Sequence, residues 1–94
     1  MKYRKKPVVI EAIQFTKELA LKIWTGKEKP IFGLFSPSGR YFLEKNQVYD
    51  AFIIIDTLEG KHQANLGDYI IKGVKGEFYP IKPDIFEMTY EKAE

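Results

Sequence analysis

Apolar residues recur with two different periods along this chain, and the switches between them mark its elements. From Val8 to Phe15, one set of alternate positions holds Val8, Ile10, Ala12 and Gln14; the other holds Val9, Glu11, Ile13 and Phe15. Apolar, β-branched residues on both sides predict a strand lying centrally in a sheet. Glu11 is the odd residue, expected at a rim with its carboxylate in water or else paired. The period then changes. Leu19, Ala20, Ile23 and Trp24 fall at i, i+1, i+4 and i+5, with Lys17, Glu18 and Lys22 on the other side, which predicts an amphipathic helix of about ten residues. Thr16 stands where an N-cap belongs, and Gly26 can adopt the left-handed conformation that ends a helix. At this spacing Trp24 reads as core rather than as an anchor for a partner.

After the polar connector 27–30, two apolar runs flank Ser36-Pro37-Ser38-Gly39, which predicts a hairpin of Ile31–Phe35 with Arg40–Glu44. Phe32, Leu34, Phe35, Tyr41, Phe42 and Leu43 are too many large apolar groups for one buried face. They imply a lid over the core or a partner surface. Val48 to Thr57, with the run Ala51-Phe52-Ile53-Ile54-Ile55, reads as the most buried strand. Leu58-Glu59-Gly60-Lys61 turns it back into the short, polar strand His62-Gln63-Ala64.

The densest punctuation lies between Gly67 and Tyr90. Tyr69-Ile70-Ile71 and Phe78-Tyr79-Pro80-Ile81, separated by Gly73-Val74-Lys75-Gly76, read as a further hairpin. Pro83 keeps the second of these strands out of a central ladder, because it has no N–H to donate. Asp84 to Met88 can hold one helical turn, and Thr89-Tyr90-Glu91 a last edge strand. The fold class is therefore α+β: a small twisted antiparallel sheet of six or seven short strands, able to curl towards a barrel, with one amphipathic helix packed on it. Residues 1–94 form one domain.

Composition adds exclusions. With 45% hydrophobic and 15% aromatic residues the chain is not a disordered tail. The absence of cysteine excludes a disulfide framework or thiolate metal site and suits a reducing cytoplasm. No apolar run is long enough to span a membrane. The net charge of +2 is concentrated in Lys2, Arg4, Lys5 and Lys6, which read as a solvated end leading into a strand. A dedicated nucleic-acid domain carries a larger surplus.

The opening MKYRKKPVVIEAIQF and the closing GDYIIKGVKGEFYPIKPDIFEMTY together resemble a family of small phage and prophage proteins of Gram-positive bacteria. The likeness leaves Thr16 to Asp56 unmatched. Two positions depart from the family pattern: Leu66 stands where proline is usual, and Ile81 where cysteine is usual, so no thiol acts there. The resemblance implies a phage or prophage origin and supplies no mechanism.

Catalysis needs a constellation of groups, and His62 is the one histidine. Pairing it with Ser36 or Ser38 lacks any nucleophile-elbow context, and Glu59, His62 and Asp68 have no ligand spacing that favours a metal. Gly73 and Gly76 lack the Gly-Lys-Ser/Thr ending of a phosphate loop. The candidate binding surface is therefore Lys72, Lys75, Glu77, Tyr79 and Lys82, where an aromatic ring among cations could stack on a base or engage an acidic patch. The same residues are also what an ordinary solvated face would show. The sequence points to a non-enzymatic, cofactor-free cytoplasmic binding protein acting on a host or phage protein, with a homo-oligomer accommodating the surplus of apolar groups. A nucleotide- or nucleic-acid-binding module and a structural or assembly part of the phage are the alternatives.

Overall fold

The computed structural model describes residues 1–3, 8–42, 45 and 47–91; Leu43, Glu44 and the side chains of Tyr41 and Phe42 lie outside that description, as does the basic run Arg4–Lys6. Within it the fold is α+β, with two antiparallel three-stranded sheets and two helices. The first sheet has the order β1 (Glu11–Gln14), β5 (Tyr69–Lys72), β6 (Phe78–Ile81), and the second the order β2 (Ser38–Phe42), β3 (Gln47–Thr57), β4 (Gly60–Asn65). The strands are thus divided between two small sheets rather than gathered into one. The central strands are β5 and β3, so β1 lies at an edge and not in the centre. Glu11 is exposed, as a rim position requires.

Helix α1 (Lys17–Trp24) starts where its cap does: Thr16 Oγ1 accepts the Leu19 N–H at 3.1 Å. Gly26, at φ +77°, follows its end. Its apolar stripe meets β3, burying Ala20 completely, while the Trp24 indole donates to the Pro37 carbonyl at 2.8 Å. The main core is built from Phe15, Ala20, Ile31, Val48, Ala51, Ile53, Ile55, Ala64 and Ile70, drawing on α1 and both sheets. A closed pair of bonds, Phe15 N–H to Asp68 O at 2.8 Å and Gly67 N–H to Phe15 O at 2.7 Å, ties the end of β1 to the turn between β4 and β5.

Three local readings change. Ile31–Phe35 is not a hairpin strand but a tight turn closed on itself, with Phe32 and Gly33 both at positive φ. Phe32 and Phe35 lay their rings on Phe78 at 5.4 and 5.1 Å, so this turn lids the core, and Leu34 faces solvent. Second, β2 pairs with β3 across a bulge: Gly39 faces two residues, Asp50 and Ala51, and Asp50 takes φ +52°. Only glycine fits opposite, since a Cβ there would meet the backbone of Tyr49, Asp50 and Ala51 at 2.9 Å. Third, Pro83 opens a genuine second helix, α2 (Pro83–Thr89), rather than one turn, and Tyr90 follows as an extended cap instead of an edge strand.

Helix α2 packs on part of the outer face of the first sheet, through Phe86 on Tyr69 and Tyr90 beside Tyr79. Cross-strand pairing sets Ala12, Ile71 and Tyr79 on one side and Ile13, Ile70 and Pro80 on the other. Ile70 enters the main core. Ile71 is equally buried under α2, where Phe86 stacks on Tyr69 at 3.8 Å. Among the described residues, no helix is long and apolar enough to cross a membrane.

Candidate functional site

Two hairpin turns stand side by side and leave a cleft between them. The first joins β3 to β4 through Leu58 and Glu59, a two-residue loop held by the Thr57 hydroxyl, which donates to Gly60 O at 2.9 Å and accepts the Glu59 N–H at 3.1 Å. The second joins β5 to β6. Gly73 N–H donates to Glu77 O at 2.7 Å around Val74–Gly76, and Gly76 supplies the positive φ that this loop requires. The cleft has a volume of about 680 Å³. Asp56 to Glu59 and His62 form one wall, and Gly76 to Pro80 the other.

Of the residues singled out from the sequence, Glu77 and Tyr79 line this cleft and Lys72, Lys75 and Lys82 do not. Lys72 pairs with Phe78 and Tyr79 with Ile71, so Lys72 and Tyr79 leave opposite faces of the same ladder. The three lysines are exposed. Glu77 is engaged by its own turn: its carboxylate accepts the Lys75 N–H at 3.0 Å and lies where a Cβ on Gly73 would stand. Tyr79 is half-buried, its hydroxyl 3.3 Å from that of Tyr90. Burial pushes its phenol up to about 12; the Tyr90 hydrogen bond and the charges of Tyr90 and Glu77 act in the same direction.

Both walls carry acidic residues, Asp56 and Glu59 on one and Glu77 on the other. Asp56, Glu59 and Glu77 are the carboxyl-bearing residues lining the cleft; Asp56 also holds Lys61 at 2.8 Å on the outer face of the second sheet. His62 pairs with Ile55 at the rim of the inner face and is exposed. Asp68, considered with His62 and Glu59 as a ligand set, is buried in the β4–β5 turn, where its carboxylate accepts the Asn65 N–H at 2.8 Å. No metal-holding group of His, Asp and Glu side chains occurs among the described residues. Between the acidic groups the walls are largely apolar, with Phe78, Pro80 and Leu58 contributing.

The feature that reading the sequence passed over is Leu58. It is 102% exposed at the tip of a two-residue loop, a position that polar or glycine residues ordinarily take. The signal was present as an apolar residue between Thr57 and Glu59-Gly60. No family model, curated protein or solved structure matches the chain.

Proposed function

We propose that this chain is a small cytoplasmic binding protein of phage or prophage origin that uses the cleft between its two hairpin turns to hold a segment of a host protein. The observation that carries this reading is the fully exposed Leu58 above largely apolar walls edged by Asp56, Glu59 and Glu77. An apolar floor with a charged rim is how a binding surface differs from an ordinary solvated one. The carboxylates select the occupant: an apolar side chain next to lysine or arginine, and not a phosphate. Nucleotide or nucleic-acid binding through Lys72, Lys75, Tyr79 and Lys82 gains no support from a ladder that sends Lys72 and Tyr79 to opposite faces.

Labelled hexapeptides carrying Leu or Phe beside Lys or Arg, and matched acidic peptides, are the probes. Fluorescence polarisation should show binding of the basic set, weakening as salt rises and falling at least about ten-fold in Leu58→Asp. Equal binding of acidic and basic peptides, or preference for a single-stranded oligonucleotide, overturns the reading.

A further inference from the structure

The outer edge of β1 is a second open surface, on the side of the first sheet away from the cleft. Because both main-chain groups of Phe15 bond to Gly67 and Asp68, alternation turns those of Ile13 and Glu11 towards β5. It turns those of Ile10, Ala12 and Gln14 outwards. Among the described residues no strand pairs with this side of β1. The segment leading into it is apolar and exposed, with Val8 at 52% and Val9 at 77%. Sheet edges are ordinarily guarded by lysine, an inward-pointing charge, a bulge or a cover. Here Glu11 is the one charge within the strand.

A groove of about 420 Å³ runs beside this edge, with Val8, Val9 and Ile10 on one side and Tyr69, Phe86 and Tyr90 on the other. We propose that a second copy of this chain occupies the edge, its β1 pairing antiparallel with this one to make a continuous six-stranded sheet. The argument for a second copy is self-complementarity, as two-fold symmetry demands. One segment supplies both the free N–H and C=O groups and the β-branched side chains that fill the groove of its partner. The two-fold axis passes at Ile10 or Ala12, because an axis at Glu11 would set two carboxylates directly opposite each other. A contact of one short strand is small, so the dimer dissociates in the micromolar range, on the order of 10–100 μM. The cleft on β6 stays open in each copy, and the pair presents two clefts from opposite ends of one sheet.

Sedimentation velocity on the full chain from about 10 μM to about 1 mM, a span bracketing that affinity, tests this. The mass should rise from 11.0 kDa towards twice that value. Val9→Lys, a change at an exposed side chain, should raise the midpoint at least ten-fold with the circular dichroism spectrum unchanged. Ala12→Pro deletes one outward N–H while sparing the bonds to β5, and should act in the same direction. Amide exchange at Ile10, Ala12 and Gln14 should slow as concentration rises, and exchange at Ile13 should not change. A monomer throughout, a dimer that Val9→Lys leaves intact, or one that Leu58→Asp dissociates instead, overturns the proposal.

Discussion

The two sheets have the same number of strands and differ in what lies on their faces. In the first, Ile70 points into the main core and Ile71, the next residue, is equally inaccessible beneath α2. In the second, Ile53 and Ile55 are buried while Ile54 between them is 43% exposed, sharing the outer face with Gln63 and the Asp56–Lys61 ion pair. A sheet covered on both sides needs apolar residues at every position of its central strand; a sheet with one wet face needs them at every second position. The longer apolar run belongs to the sheet with the wet face. Length of run is therefore a poor guide to burial here, and the presence of a covering element decides.

The comparison breaks first at the isoleucines. Ile71→Ala should cost about 2–5 kcal/mol, the range for a fully buried aliphatic truncation, and Ile54→Ala less than about 1 kcal/mol. Urea unfolding of both variants measures this; equal costs would mean that α2 does not cover the first sheet in solution.

Next in size is the bulge that sets the phase of the second sheet. Gly39→Ala should cost about 2 kcal/mol, since its φ of +130° and the 2.9 Å approach of three backbone atoms leave no room for a methyl group. Gly26→Ala, at a positive φ but with nothing near the added carbon, should cost about 1 kcal/mol. Thermal melts of the pair separate crowding from backbone conformation.

The smallest effect sharpens the role of α2. A phenol whose ionisation is pushed up to about 12 on folding holds its proton more tightly in the native state than in the unfolded one, where it titrates near 10. Its contribution to stability is complete below pH 10 and is lost as pH rises towards 12, and solvent screening of a partly exposed phenol keeps that loss small. Denaturation of wild type and Tyr79→Phe across that window should show the steeper decline in wild type. Parallel declines would place Tyr79 in water.

Much of this architecture was legible in the residues. Thr16, the stripe from Leu19 to Trp24 and Gly26 located α1 because capping and periodicity are local effects. The Gly73–Gly76 hairpin was readable for the same reason. The division into two sheets was not, because it depends on which strands meet across long separations, and β1 finds β5 only through the intervening chain. The bulge at Asp50 was hidden as well: Gly39 advertised a turn, while its actual constraint comes from a neighbouring strand. At the candidate site, Lys72, Lys75, Glu77, Tyr79 and Lys82 were grouped by closeness in sequence; the alternation of strand faces separates Lys72 from Tyr79, and of the five only Glu77 and Tyr79 line the cleft. Asp56 and Leu58 come from the other hairpin, and no local pattern in one turn reveals what the other brings beside it.

The tie between the end of β1 and the turn before β5 carries a kinetic consequence. The second sheet is a meander of neighbouring segments, and β5–β6 closes through a short loop. The bond from the Gln14 side chain to Gly67 O, by contrast, joins residues 53 apart. Closing a loop of that length rather than one of a few residues costs roughly 2 kcal/mol more chain entropy, to be met before any contact repays it. β1 is therefore expected to dock after the hairpins have closed, which slower protection of the Ile13 amide than of the Ile55 amide in pulse-labelled refolding would show. Until β1 docks, β5 is bare along one side, and the encounter that completes one molecule competes with the encounter that joins two.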